Sequence, residues 1–168
     1  MSKQIEQLQS YLTFRLGDEI FSANVKKVLE ILEIPRITKV PHAPAYMRGV
    51  INLRGNVMPV INARLKFGLP EANDTVTSCI VVLDIEMDGQ NVTLGAVVDA
   101  VQEVIEITPE EIQPAPSIGT KFKSEFINGM VKVNDQFIMV LNLDLVFSSD
   151  EGSILQSIIA DTQEAEIQ

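Results

Sequence analysis

The sequence predicts a mostly β protein in which two related five-stranded barrels pack side by side. Three observations predict this fold: short runs of β-branched and aromatic residues, tight turn signals between the runs, and an internal repeat. The chain has 168 residues, 46% of them apolar, which suits one domain with a substantial core. We therefore expect residues 1–168 to form a single domain with two lobes.

The strands are predicted from runs such as Tyr11–Leu16 and Gln136–Leu141, which are short and bounded by turn residues. Positive φ angles cost little for Gly and are tolerated by Asn and Asp. Four dipeptides are therefore expected to form hairpin turns: Gly17-Asp18, Arg54-Gly55, Asp88-Gly89 and Asn134-Asp135.

Two segments have the apolar spacing of a helix. The first runs from Asn24, a candidate N-cap, to about Ile31, with apolar residues at i, i+3, i+4 and i+7. The second covers about 149–160, and Ser148 and Glu151 in front of its apolar stripe have the spacing of a capping box. We expect one short internal helix, a C-terminal helix at about 149–160, and an acidic tail at 161–168 to which no function is assigned.

The internal repeat relates the two halves of the chain. Val25–Ile31 recurs 73 residues later as Val98–Val104, and Gly49–Asn62 recurs 80 residues later as Gly129–Asn142. The larger offset indicates an insertion around Ser117–Ser124. Because curling a small sheet into a barrel removes its exposed edges, we expect each half to form its own barrel, with lobes of about 11–68 and 78–147.

Composition excludes several classes of partner and compartment. A net charge of −10 argues against nucleic acid, which requires a basic surface. No stretch reaches the ~20 apolar residues of a membrane span, so membrane insertion is not expected. A single cysteine, Cys79, excludes an internal disulfide, suits a reducing compartment, and is interpreted as a small core residue. We expect a cytoplasmic protein.

The residues needed for catalysis or metal binding are largely missing from the sequence. His42 is the only histidine, and no Ser or Cys nucleophile lies in a recognisable motif. One His and one Cys cannot supply a zinc site, and there is no calcium loop and no Gly-rich phosphate loop. We expect no catalytic residue, no metal and no cofactor, and an enzyme is the least supported reading.

The two halves differ at one hairpin, and that difference points to a functional residue. The first half has Asn52-Leu53-Arg54-Gly55, whereas the second has Lys132-Val133-Asn134-Asp135 and lacks the Arg-Gly pair. An exposed arginine is commonly just solvated. Arginine is also favoured for bidentate carboxylate pairing and for interface hot spots.

The segments Tyr11–Glu19, Val25–Ile31 and above all Tyr46–Gly68, with its Arg48-Gly-Val-Ile-Asn-Leu-Arg54-Gly core, resemble the CheW family. The resemblance runs from about Tyr11 to Phe147. It implies two SH3-like five-stranded barrels and a non-enzymatic adaptor in bacterial chemotaxis. Such an adaptor binds the cytoplasmic tip of methyl-accepting chemoreceptors and the homologous regulatory domain of a CheA-type histidine kinase.

The resemblance also implies a location, an oligomeric state and an alternative role. The adaptor would be recruited to receptor arrays at the inner face of the membrane and would be a monomer when free. The alternative is a scaffold of the same fold in a related chemosensory pathway, such as one controlling pili or development.

Family residues carry over position by position. Val28, Glu30, Gly49 and Arg54 match positions used for receptor or kinase coupling, and Ile31 and Asn52 are neighbours of weaker standing. Two alternatives stay open: Val28 and Ile31 would either offer apolar area to a receptor helix or pack in the core, and Glu30 would either touch a partner or pair with Arg54.

The match departs from the family pattern at Asn62-Ala63-Arg64, where the family has an acidic and an aliphatic residue before the arginine. The departure leaves the details of that strand open.

Overall fold

The computed structural model describes residues 8–87, 89–114 and 126–146. The first half of the chain forms β1 (Gln9–Leu16), β2 (Glu19–Asn24), a 3₁₀ turn (Val25–Lys27), β3 (Val28–Glu33), β4 (Met47–Leu53), β5 (Asn56–Asn62) and α1 (Ala63–Lys66). The second forms β6 (Cys79–Met87), β7 (Gln90–Val98), β8 (Ala100–Ile107), a 3₁₀ turn (Pro109–Glu111), β9 (Ile127–Val133), β10 (Gln136–Leu141) and α2 (Leu143–Val146). The mostly β fold class is confirmed.

Three of the four expected hairpin turns lie between strands, and in the fourth, Asp88-Gly89, Asp88 lies outside the described residues. Arg54 and Gly55 join β4 to β5 with φ angles of 53° and 86°, and Asn134 and Asp135 join β9 to β10 with φ angles of 50° and 64°. These two turns occupy equivalent places in the repeat. The repeat therefore describes the local structure of both halves correctly.

The two halves nevertheless interleave. Sheet A has the strand order β8-β1-β2-β10-β9, and sheet B has the order β3-β6-β7-β5-β4. When each strand is replaced by its repeat counterpart, one order becomes the other. Each sheet thus contains strands from both halves, so the expectation that lobes 11–68 and 78–147 each form their own barrel is wrong.

Connector length explains the interleaving. In sheet A, β2 and β8 are both antiparallel to β1 and flank it. If β3 took the place of β8, the chain would have to return along a whole strand between β2 and β3, and such crossovers need a dozen or more residues. Only Val25–Lys27 separates β2 from β3, and only Asp99 separates β7 from β8. The chain therefore passes directly from one sheet into the other.

Each sheet is closed into a barrel by the segment that follows its first outer strand. Thr38, downstream of β3, exchanges two backbone hydrogen bonds of 2.9 and 2.8 Å with Val50 of β4. Gln113, downstream of β8, exchanges two of 2.8 Å with Met130 of β9. Since β3 and β4 are the outermost strands of sheet B, and β8 and β9 those of sheet A, these bridges join the sheet edges.

The predicted internal helix is wrong beyond its first turn. Asn24 does cap a turn, because its side-chain oxygen accepts a 2.9 Å hydrogen bond from the Lys26 amide, but that turn is 3₁₀ and ends at Lys27. Residues 28–33 form β3, which pairs with β6 and has an irregularity between Val28 and Glu30. This bulge shifts the alternation and imitates helical spacing. The C-terminal helix at about 149–160 and the tail at 161–168 lie outside the described residues.

The largest hydrophobic cluster is built from residues of both sheets and includes Phe14, Phe21, Phe67 and Phe126. The Phe21 ring stacks against Phe14 and Phe67, with centroid distances of 6.1 and 5.5 Å. Each barrel also has a smaller core of its own. The shared cluster therefore holds the two barrels together.

Candidate functional site

The candidate site is centred on the tip of the β4–β5 hairpin. The side chain of Arg54 reaches Glu30 on β3 with two hydrogen bonds: Nη1 donates to Oε2 at 2.6 Å, and Nη2 donates to Oε1 at 2.7 Å. The turn itself is fixed by Asn52, whose side-chain oxygen accepts a 2.8 Å hydrogen bond from the Gly55 amide. The fold thus brings three of the predicted site residues together: Glu30, Asn52 and Arg54.

The electrostatics of the pair follow from this geometry. The hydrogen bonds from Arg54 lower the pKa of Glu30, and the hydrogen bonds to Glu30 raise the pKa of Arg54. Both groups are therefore charged at neutral pH. The Arg54 side chain is 69% exposed. Two of its five N–H groups contact Glu30, which leaves three that this pair does not use.

The pair also has a place in the barrel. Glu30 lies on β3 and Arg54 follows β4, and these are the two outermost strands of sheet B. The Thr38–Val50 bridge joins the same two edges by backbone hydrogen bonds. The Arg54–Glu30 contact is thus a side-chain brace across the seam of this barrel. Of the two alternatives for Glu30, the structure shows the pairing with Arg54.

Gly49 supports the same closure. It is buried in β4 with a φ of 149°, and a Cβ built there would lie 2.1 Å from the Thr38 carbonyl oxygen. The equivalent Gly129 is similar, since its Cβ would lie 2.4 Å from the Gln113 carbonyl oxygen. Both glycines therefore allow the closing segment to approach its neighbouring strand. The structure gives Gly49 a packing role.

The apolar candidate residues on β3 differ in how far their side chains are exposed. Val28 is half-buried and packs against the main core, as one of the two alternatives expected. Ile31 is 46% exposed and faces solvent. Leu29 is 54% exposed on the same strand and was missed by sequence reasoning, because the helical interpretation placed it in a buried stripe. Leu29 and Ile31 thus expose apolar area on the strand that carries Glu30.

The other residues considered for catalysis or metal binding lie outside this site. His42 is exposed on a loop with a φ of 62°. Cys79 is half-buried, and burial raises the pKa of its thiol. Within residues 8–87, 89–114 and 126–146, no group of three or more His, Cys, Asp or Glu side chains could hold a metal ion. In that same part of the chain, no helix has the length and apolar character to cross a membrane.

Comparison with known proteins agrees with the geometry. The family model described as CheW-like domain matches residues 10–151. A chemotaxis protein CheW of Rhizobium meliloti is 36% identical over 140 residues, which cover 83% of this chain and 88% of the relative. The CheW of Treponema pallidum is 33% identical over 155 residues, covering 90% and 88%.

A solved structure is also similar. The scaffolding protein TtCheW from Thermoanaerobacter tengcongensis superimposes with a TM-score of 0.74 at 33% identity, covering 83% of this chain and 88% of that one. These relatives are named as chemotaxis and scaffolding proteins, not as enzymes. The resemblance found in the sequence is therefore confirmed.

Proposed function

The chain belongs to the CheW-like domain family, and on that premise we propose that it couples methyl-accepting chemoreceptors to a CheA-type histidine kinase by binding both. It binds the cytoplasmic tip of the receptor and the regulatory domain of the kinase, and it catalyses no reaction. It acts in the cytoplasm, recruited to receptor arrays at the inner face of the membrane, and is a monomer when free.

One observation carries this proposal: an exposed arginine is held in place beside an exposed apolar strand. Arg54 is held by Glu30 on a turn that Asn52 fixes, its side chain is largely exposed, and three of its N–H groups are not used by the pair. Leu29 and Ile31 expose apolar area on the strand that carries Glu30. An apolar surface with a preorganised arginine suits a helix or strand that carries a carboxylate or free carbonyl oxygens.

The residues divide into two roles. Ile31 and Arg54 contact a partner, whereas Glu30, Asn52, Gly49 and Val28 hold that surface in shape through the seam, the turn and the core. Changes at the second group therefore act on binding through the structure of the barrel. Changes at Ile31 act on binding with smaller effects on folding, whereas Arg54 has both roles because it also braces the seam through Glu30.

Isothermal titration calorimetry with a receptor-tip fragment and with the kinase regulatory domain tests the proposal. Ile31→Ser should weaken binding to at least one of them roughly tenfold, and Arg54→Ala roughly 30-fold. Matched controls lie on the β9–β10 hairpin. Phe137→Ser changes an apolar side chain that is 51% exposed, and Lys132→Ala a cation that is 56% exposed.

We expect both controls to bind like the unmodified protein. If the unmodified protein binds neither partner, the proposed function is wrong. If it binds both and the two variants match their controls, the function stands and this surface does not carry it.

A further inference from the structure

Two ion pairs lie where the chain crosses between the sheets. Arg64 on α1 contacts Asp99, the single residue between β7 and β8, with Nε–Oδ1 and Nη2–Oδ2 distances of 3.0 and 2.5 Å. Asp144 on α2 contacts Lys27, the last residue of the turn between β2 and β3, with an Nζ–Oδ1 distance of 3.3 Å. We call these pairs the Arg64–Asp99 clamp and the Lys27–Asp144 clamp.

Each clamp also reaches the opposite sheet. The Gly17 amide, in the β1–β2 turn of sheet A, donates a 2.7 Å hydrogen bond to Asp99, which follows a strand of sheet B. The Glu86 amide, in β6 of sheet B, donates a 3.4 Å hydrogen bond to Asp144, which follows a strand of sheet A. Both carboxylates therefore tie the two barrels together.

The clamps are related by the repeat, with their charges inverted. The offset of 80 aligns Arg64 with Asp144, and the offset of 73 aligns Asp99 with Lys26, the neighbour of Lys27. The first half of the chain thus carries cations at both clamp positions, and the second half carries anions at both. A favourable clamp forms only between a first half and a second half.

The repeat makes a wrong pairing possible between two copies of the chain. The β1–β2 hairpin of one copy could join β3, β4 and β5 of another, because these strands are counterparts of β8, β9 and β10. The short connectors would not prevent this exchange, since each would still pass from one barrel to the next. Exchange of equivalent elements is a recognised route to swapped dimers.

The charges oppose such an exchange. In a dimer of two first halves, Arg64 of one copy would meet Lys26 and Lys27 of the other. In a dimer of two second halves, Asp144 would meet Asp99. We infer that the two clamps act as a charge code that makes the unlike halves of one chain pair with each other and disfavours pairing of like halves between copies. This inference is independent of the proposed function.

The test is refolding of the full-length protein, followed by native mass spectrometry of the monomer and dimer fractions. The double variant K27D/D144R keeps a clamp of opposite charges but reverses its polarity. The substituted position 144 would then attract Asp99 of another copy, and the substituted position 27 would attract Arg64, which Lys26 still repels. Repulsion between like halves is thus largely removed, so the dimer fraction should rise roughly tenfold at equal concentration. Adding R64D/D99R inverts both clamps, restores the code, and should return the chain to monomer.

Two outcomes would overturn the inference. In one, K27D/D144R refolds with the dimer fraction of the unmodified protein. In the other, the fourfold variant dimerises or aggregates as much as the double variant. That result would show that the substitutions disturb their own surroundings, and that the pattern of charges between the halves does not control pairing.

Refolding the unmodified protein at about 1 M salt tests the inference without substitutions, because at that ionic strength exposed charges more than ~3 Å apart are largely screened from each other. Its dimer fraction should increase, and an unchanged fraction contradicts the inference.

Discussion

Gly49→Ala tests whether closure of the first barrel depends on the approach of two backbones. The new Cβ would lie 2.1 Å from the Thr38 carbonyl oxygen, so the closing segment has to move. Overpacking of this kind costs about 1–3 kcal/mol, and a residue other than Gly at this backbone conformation costs about 1–3 kcal/mol more. A total of about 4 kcal/mol lowers the melting temperature of a protein of this size by roughly 10 °C.

Thermal unfolding followed by circular dichroism measures the effect, and two glycines serve as controls. Gly55 has a φ of 86° but open space around its Cβ position, so Gly55→Ala should show the backbone cost alone, roughly 1–2 kcal/mol. Gly129 is crowded without a left-handed φ, so Gly129→Ala should show the contact cost alone. If Gly49→Ala melts within about 2 °C of the unmodified protein yet loses partner binding, Gly49 touches a partner and the packing argument is refuted.

Two further predictions concern the ion pairs. Glu30→Ala and Arg54→Ala should each lower the melting temperature, and the double variant should melt no lower than the worse single variant, because both remove one contact; additive losses would contradict the brace. Burial raises the pKa of Asp99, but hydrogen bonds from Arg64 and Gly17 outweigh it and keep this pKa below its usual range. The stabilisation from Asp99 is therefore present above the unfolded-state pKa and lost as the pH falls below about 4. In urea titrations from pH 6 to pH 2, Asp99→Asn should lose less unfolding free energy than the unmodified protein, and equal losses would argue against this linkage.

The sequence predicts local structure better than chain topology. Hairpin turns depend on residues that tolerate positive φ, and Arg54-Gly55 and Asn134-Asp135 form turns as expected. The repeat identifies equivalent strands correctly, but it does not predict which half of the chain contributes each strand to a given sheet. That choice follows from connector length, since Asp99 alone separates β7 from β8.

The errors at the candidate site have one local cause. The spacing of Val25, Val28, Leu29 and Leu32 fits a helix, yet a 3₁₀ turn followed by a bulged strand fits it equally well. Pairing with β6 decides between the two, and this contact is distant in sequence. The same error hid the exposure of Leu29, because a residue on the apolar stripe of a predicted helix can face solvent when the segment is a strand.

The Arg54–Glu30 pair was foreseen as one alternative because both residues belong to recognisable motifs. The Arg64–Asp99 pair is not predicted by the sequence, since Asp99 occupies a position of the repeated segment Val98–Val104 that differs from its counterpart Lys26, and it meets Arg64 only after the sheets interleave.

Co-sedimentation measures whether this protein holds receptor and kinase together in one complex. Vesicles carrying a receptor cytoplasmic fragment are mixed with the kinase, with and without this protein, and centrifuged. We expect the kinase to enter the pellet only when the protein is present, and we expect Arg54→Ala to reduce this recovery while Lys132→Ala does not. A kinase that stays in the supernatant in the presence of receptor and saturating protein would show that the protein does not bridge the two.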